Sequence, residues 1–166
     1  YLDLVSIFGH IMFYTENPAT VAESENIEQI QDTKVVFDFI LDDLEKAIQG
    51  LPEKAVNKSK MGKAAARLLR ARAAAFAAGY LNDKSYFKIT LDETSQLVAS
   101  APTLADYSEL FVSGCETLDE VMLVKRYSLD SKNGWGDWYN QSIGGYCVTT
   151  PVKALADAYE YIGERN

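Results

Sequence analysis

Apolar side chains recur every three or four residues along most of this chain, the spacing of one face of an α-helix. Between residues 33 and 49, Val36, Phe39, Ile40, Leu44, Ala47 and Ile48 form such a stripe. Asp38, Asp42, Asp43 and Glu45 occupy the remaining surface. Asp32 or Thr33 can cap the start of this helix, and Gly50 and Pro52 stop it. A second, alanine-dense helix is predicted from about Gly62 to Ala78, with Leu68, Leu69 and Phe76 supplying its bulk and Gly79 ending it. A third covers 84–99 and turns Phe87, Leu91, Thr94, Leu97 and Val98 inward.

Shorter signals flank these three. YLDLVSIFG (1–9) reads as the last turns of a helix, with Leu2, Val5 and Phe8 on one face and Gly9 as its C-terminal cap. Residues 10–31, punctuated by Asn17-Pro18, and 53–60 read as loops. LADYSELF (104–111) predicts a helical turn carrying Leu104, Tyr107, Leu110 and Phe111. EVMLVKRYSL (120–129) is short and rich in β-branched residues, as a strand would be. PVKALADAYEYI (151–162) opens a closing helix on Pro151, with Leu155, Ala158, Tyr159 and Ile162 on its apolar side. The expected fold class is therefore mainly α, built from antiparallel helical hairpins with short connections. The 33–49 and 62–79 helices suit one tetratricopeptide-like hairpin, although that repeat's consensus is not legible.

Composition narrows the partners. The 166 residues carry a net charge of −8, which disfavours nucleic acid and anionic membrane, because both require clustered Lys and Arg. It suits a neutral or cationic partner. No apolar run approaches the ~20 residues of a membrane helix, and the greasiest block, AAARLLRARAAAFAAG, contains three arginines. Cys115 and Cys147 form no CxxC and, with the single His10, cannot supply a structural zinc site. They read as small buried hydrophobes, and their redox state is open.

Three features offer chemistry. The acidic helix face at 38–45 reads as a solvated surface rather than as paired catalytic carboxylates. Lys63, Arg67 and Arg70, spaced four and three, make a basic stripe that is read as pairing with that acidic helix rather than as a phosphate site. The third feature is KNGWGDWYNQSIGGY (132–146), which gathers both tryptophans into a glycine-broken segment.

That segment places Trp135, Trp138, Tyr139 and Tyr146 beside Asp137, Asn140 and Gln141. Flat rings match the C–H faces of sugars by apolar burial and dispersion, and Asp, Asn and Gln match the hydroxyl rim. As a helical turn, 135–139 would put both indoles on one face; as an extended segment, it would put them on opposite faces. Each ring could instead fold beneath the loop as its anchor, but at least one is expected to contact ligand. No nucleophile elbow, P-loop, HExxH or dinucleotide fingerprint occurs, so neither catalysis nor a cofactor is expected; no metal ligands are assigned, and Ca²⁺ on loop carboxylates stays open although no EF-hand-like loop supports it.

Five blocks in order carry a family resemblance. YLDLVSIFG resembles "Y-x-D-L-V-x-x-F-G", and VVFDFILDDLEKAIQGLPE (35–53) resembles "hydrophobic-x-F-I-x-x-D-L-x-x-A-x-x-x-L-P". GKAAARLLRARAAAFAAG (62–79) resembles "G-[RK]-x-x-x-A-A-x-x-L-x-A-R". DYSELF (106–111) and PVKALADAYE (151–160) resemble "D-Y-x-x-L-F" and "P-T-x-x-L-V-D-A-Y-E". Together they resemble the SusD/RagB family of glycan-binding outer-membrane lipoproteins. The chain departs from the pattern at Met12, where Pro is frequent, at Lys63 for Arg, and at Val152 for Thr. It also lacks the Trp that often opens the third helix, with Tyr86 and Phe87 nearby.

The resemblance implies a SusD-like fold, in which tetratricopeptide-like hairpins support loop-rich, irregular insertions. The chain would then be an internal portion of one such domain. Its helical scaffold would span about 33–112, its strand and aromatic loop about 119–150, and its closing helix 151–162. The implied function is non-catalytic binding of oligosaccharide at the cell surface and delivery to a SusC-like TonB-dependent transporter. Attachment to the outer membrane would be through an N-terminal lipid on a Cys upstream of Tyr1, a role neither Cys115 nor Cys147 can take. The competing expectation is a helical-repeat scaffold that binds proteins and no glycan.

Overall fold

A computed structural model describes residues 1–112, 114–126 and 152–159. The chain divides into two compact units, Tyr1–Lys125 and Arg126–Asn166. The described residues are mainly helical. The first unit contains α1 (Leu2–Phe8), α2 (Val21–Glu25), α3 (Thr33–Gly50), α4 (Lys63–Tyr80) and α5 (Phe87–Ala99). A 3-10 turn at Lys84–Tyr86 leads into α5, and two more follow at Tyr107–Phe111 and Cys115–Thr117. The second unit contributes α6, Lys153–Ala158.

The α3–α4–α5 array forms the scaffold, with α4 in the middle. Its pairings run antiparallel: Phe37 meets Phe76 and Tyr80, whereas Leu41 and Glu45, further along α3, meet Arg70. On the other side, Arg67 and Arg70 meet Glu93, and Thr90 Oγ1 donates to the Ala71 carbonyl at 3.2 Å. Alanine allows this closeness. Ala66, Ala73, Ala74 and Ala77 are fully buried, so two neighbours can rest nearly against the α4 backbone. The expected bulk residues of α4 lie elsewhere: Leu68 and Phe76 are exposed, because the faces between α3 and α5 are filled by alanine.

Asp32 caps α3, its carboxylate accepting from the Lys34 N–H at 3.0 Å, and Thr33 is buried within the first turn. Val36, Ile40 and Ile48 are buried as the periodicity requires, and Phe37 and Leu41 join them because α4 lies across that side. Gly62 caps α4, where a Cβ would stand 3.0 Å from the Ala55 backbone nitrogen.

Helix α1 ends on Gly9, at φ +69°, whose N–H donates to the Val5 carbonyl. Val5 is fully buried, but Phe8 is exposed rather than sharing its face. Tyr1, Phe13 and Phe39 pack edge to face, with centroids 5.1 and 5.2 Å apart along the series, and fasten the start of the chain to α3. The 10–31 connection is more ordered than a loop. Met12 and Gln29 form an isolated antiparallel bridge, and the Ile30 N–H donates to Ile11 O at 2.9 Å. Within it, Thr20 caps α2 by accepting from Glu23 N–H, while the Glu23 carboxylate accepts from Ala19 N–H.

Two further expectations change. Residues 121–126 have no regular structure, since a strand needs a paired edge and, among the described residues, this stretch makes one backbone bond to a distant segment, Val124 N–H to Lys58 O at 2.8 Å. Residues 127–129 lie outside the described residues. Helix α6 stops at Ala158, and Tyr159 turns to an extended ψ of 132°. Within α6, Leu155 is half-exposed rather than buried, and Pro151 and Ile162 lie outside the described residues.

Candidate functional site

Every residue predicted to contact glycan lies outside the described residues: Trp135, Asp137, Trp138, Tyr139, Asn140, Gln141 and Tyr146. Cys147 does too, while Cys115 is a half-buried free thiol. The geometry available for function is that of the scaffold and its clefts.

The basic stripe is built into the scaffold. Arg67 and Arg70 each donate to one oxygen of Glu93, both at 2.6 Å, and Glu93 is only 4% exposed. Arg70 also reaches Glu45 at 2.6 Å and the Leu41 carbonyl at 3.1 Å. Lys63 pairs with Glu53 at 2.5 Å, which holds the Glu53 carboxyl below its usual range. The stripe therefore pairs with carboxylates, as expected, but only Glu45 belongs to the acidic helix before it. The principal partner is Glu93 on the helix that follows.

Glu93 also explains the facing of α5. Tyr86, Glu93 and Leu97 are buried and Ile89 and Thr90 half-buried, whereas Phe87, Leu91 and Val98 are exposed. The helix is rotated from its apolar expectation so that one carboxylate can serve two guanidinium groups. The 86–90–93–97 spacing, together with two arginines on the preceding helix, was the available signal. Nearby, the buried Tyr86 hydroxyl donates to Asp38 at 2.6 Å, and Lys34 pairs with Asp38 and lies 5.6 Å above the Tyr86 ring. Burial, then the bond to Asp38, raises the Tyr86 pKa.

Clefts form where the 53–60 loop, the start of α4 and residues 117–123 converge. Lys58 Nζ donates to the carbonyls of Thr117 and Leu118, and the Ala105 N–H donates to Glu120 at 2.9 Å. These bonds hold an otherwise irregular segment against the helices. A cleft of about 350 Å³ lies between the loop, Ala64 and Asp119, and one of about 430 Å³ extends past Met122 toward Leu97 and Pro102. An apolar groove of about 370 Å³ is lined by Leu68, Leu69, Val121 and Leu123. A fourth cleft, of about 240 Å³, lies between α1 and α4, lined by Leu2, Asp3, Ser6, Ile7, Arg72 and Phe76.

Among the described residues there is no group of three or more His, Cys, Asp or Glu arranged to hold a metal ion. No described helix is long and apolar enough to cross a membrane. No family model, curated protein or solved structure matches the chain.

Proposed function

We propose that the chain is the helical core and binding loop of a SusD-like protein. In this reading it binds oligosaccharide at the surface of the outer membrane and passes it to a SusC-like TonB-dependent transporter without catalysing a reaction. The hairpins α3–α4 and α4–α5 are its tetratricopeptide-like units. Trp135, Trp138, Tyr139 and Tyr146 stack against sugar faces, and Asp137, Asn140 and Gln141 meet the hydroxyl rim.

The observation that carries the reading is the ordered run of five sequence blocks, each of which falls on a folded element or its cap. Block 1–9 coincides with α1 and its Gly9 cap, 35–53 with α3, and 62–79 with α4 and its Gly62 cap. Block 106–111 is the Asp106-capped turn, and 151–160 spans α6. Blocks 35–53 and 62–79, the two longest, pack against each other along α3 and α4. The test is a glycan array probed with the full chain, alongside co-purification with a SusC-like transporter. Retention of oligosaccharide supports the reading, and retention of neither glycan nor transporter refutes it.

A second reading, a protein-binding helical scaffold, draws on the exposed apolar stripe of Phe87, Leu91 and Val98 on α5. Selective retention of peptides with no glycan binding would favour it.

A further inference from the structure

The α1–α4 cleft carries features that the scaffold does not use. Phe76 and Tyr80, one turn apart on α4, have ring centroids 6.0 Å apart and planes within 24° of each other. Behind them lies Phe37, fully buried, with centroids 6.1 and 5.6 Å from the two rings. Yet Phe76 is 39% exposed and Tyr80 44% exposed. The two rings thus stack on each other, are braced from within by Phe37, and each keeps part of its surface open on the central helix of the scaffold.

One turn before Phe76 stands Arg72, and across the cleft stand Asp3 and Ser6 of α1. Arg67 and Arg70 are tied to carboxylates, whereas the side chains of Arg72 and Asp3 have no hydrogen-bond or ion-pair partner among the described residues. Ser6 donates its hydroxyl proton to Leu2 O at 2.6 Å, which leaves its oxygen lone pairs free to accept. A forked donor, a carboxylate acceptor and a hydroxyl acceptor therefore face one concavity whose wall includes the Phe76 ring, itself backed by Tyr80 and Phe37.

We infer that this cleft is a binding subsite for a neutral sugar residue. The pyranose C–H face would lie on Phe76, while adjacent hydroxyls would accept from Arg72 and donate to Asp3 and Ser6. A purely apolar occupant would strand Arg72 and Asp3 in the buried contact, and a charged one would satisfy one of them and repel the other. A polyhydroxylated neutral ligand satisfies both. The choice of ligand class rests on the carbohydrate reading above; the site itself is separate from residues 132–146.

The experiment uses the full chain and maltohexaose, cellohexaose and xylohexaose as probes. Hydroxyl-radical footprinting without sugar should modify Phe76, and at least one probe should protect it. Arg72→Met and Asp3→Asn, exposed changes that leave the aromatic packing intact, should each weaken that protection and the calorimetric affinity by about tenfold, the loss of one charged hydrogen bond. Phe76→Ala should weaken both further, with thermal unfolding run in parallel to report the fold. If Phe76 is already unreactive without sugar, another element covers the cleft and the inference is overturned. Unchanged affinity and protection in Arg72→Met and Asp3→Asn also overturn it. Should Trp138→Ala abolish binding while these variants do not, this subsite falls and the proposed function stands. Should Arg72→Met weaken protection while Trp138→Ala leaves binding intact, the subsite stands and the 132–146 assignment falls.

Discussion

Replacing Glu93 with Ala tests the organisation of the scaffold. Glu93 is 4% exposed and its carboxylate accepts from Arg67 and Arg70, so its removal leaves two guanidinium groups facing a site from which water is largely excluded. Breaking a buried ion pair by deleting one partner costs roughly 3–5 kcal/mol. Here the arginine side chains remain 23% and 14% exposed, and Arg70 keeps Glu45 and the Leu41 carbonyl. These residual partners place the cost near the lower end, about 3 kcal/mol. For a domain of this size that corresponds to a fall in Tm of about 6–12 °C. Urea unfolding of wild type and variant, followed by circular dichroism at 222 nm, measures it. A companion variant, Arg67→Met with Arg70→Met and Glu93→Leu, removes the charges together and should recover most of the loss, because an apolar replacement of similar volume avoids the desolvation cost. A Glu93→Ala cost below about 1 kcal/mol would refute the reasoning, since it would mean the network is effectively solvated.

Three other outcomes follow from the packing and the caps. Gly9→Ala forces a side chain into positive φ, with its Cβ 2.6 Å from Tyr80 Oη, and should cost about 1–2 kcal/mol by denaturant unfolding. Ala74→Leu places a large side chain where α4 is fully buried and should cost about 1–3 kcal/mol, with loosened α3–α4 packing visible in amide exchange. Asp83 and Asp106 have carboxyl pKa values lowered by hydrogen bonds from Ser85 and Ser108, so their caps stabilise the protein above the unfolded value of about 3.9. The stability difference between wild type and Asp83→Ala, measured at pH 6, should therefore shrink as pH falls through the lowered folded value.

Sequence periodicity was enough to locate α3 and α4, because strong amphipathic or alanine-rich runs bounded by Asp32, Gly50 and Gly62 specify helices locally. It failed where tertiary partners decide. The facing of α5 turns on Glu93, and hydrophobicity alone ranks a carboxylate as an outward residue. Residues 121–126 have strand composition, but propensity cannot supply a neighbouring edge. Helix α2 falls in a segment read as a loop; it is only five residues long, and its one local signal is Thr20 with Glu23 three residues on. The residues proposed to meet glycan stand out in the sequence by ring chemistry and spacing. The α1–α4 cleft is not legible that way, because only folding brings Asp3 and Arg72 to opposite walls of one cleft.

The central claim, that the aromatic segment takes carbohydrate, is tested most directly by isothermal titration of the full chain with an oligosaccharide retained on the array. Wild type and Trp138→Ala with Tyr139→Ala should be compared at matched folding. The account predicts that the double change weakens binding by at least about tenfold, consistent with the loss of stacking at a sugar face. Equal affinity in the two proteins would contradict it.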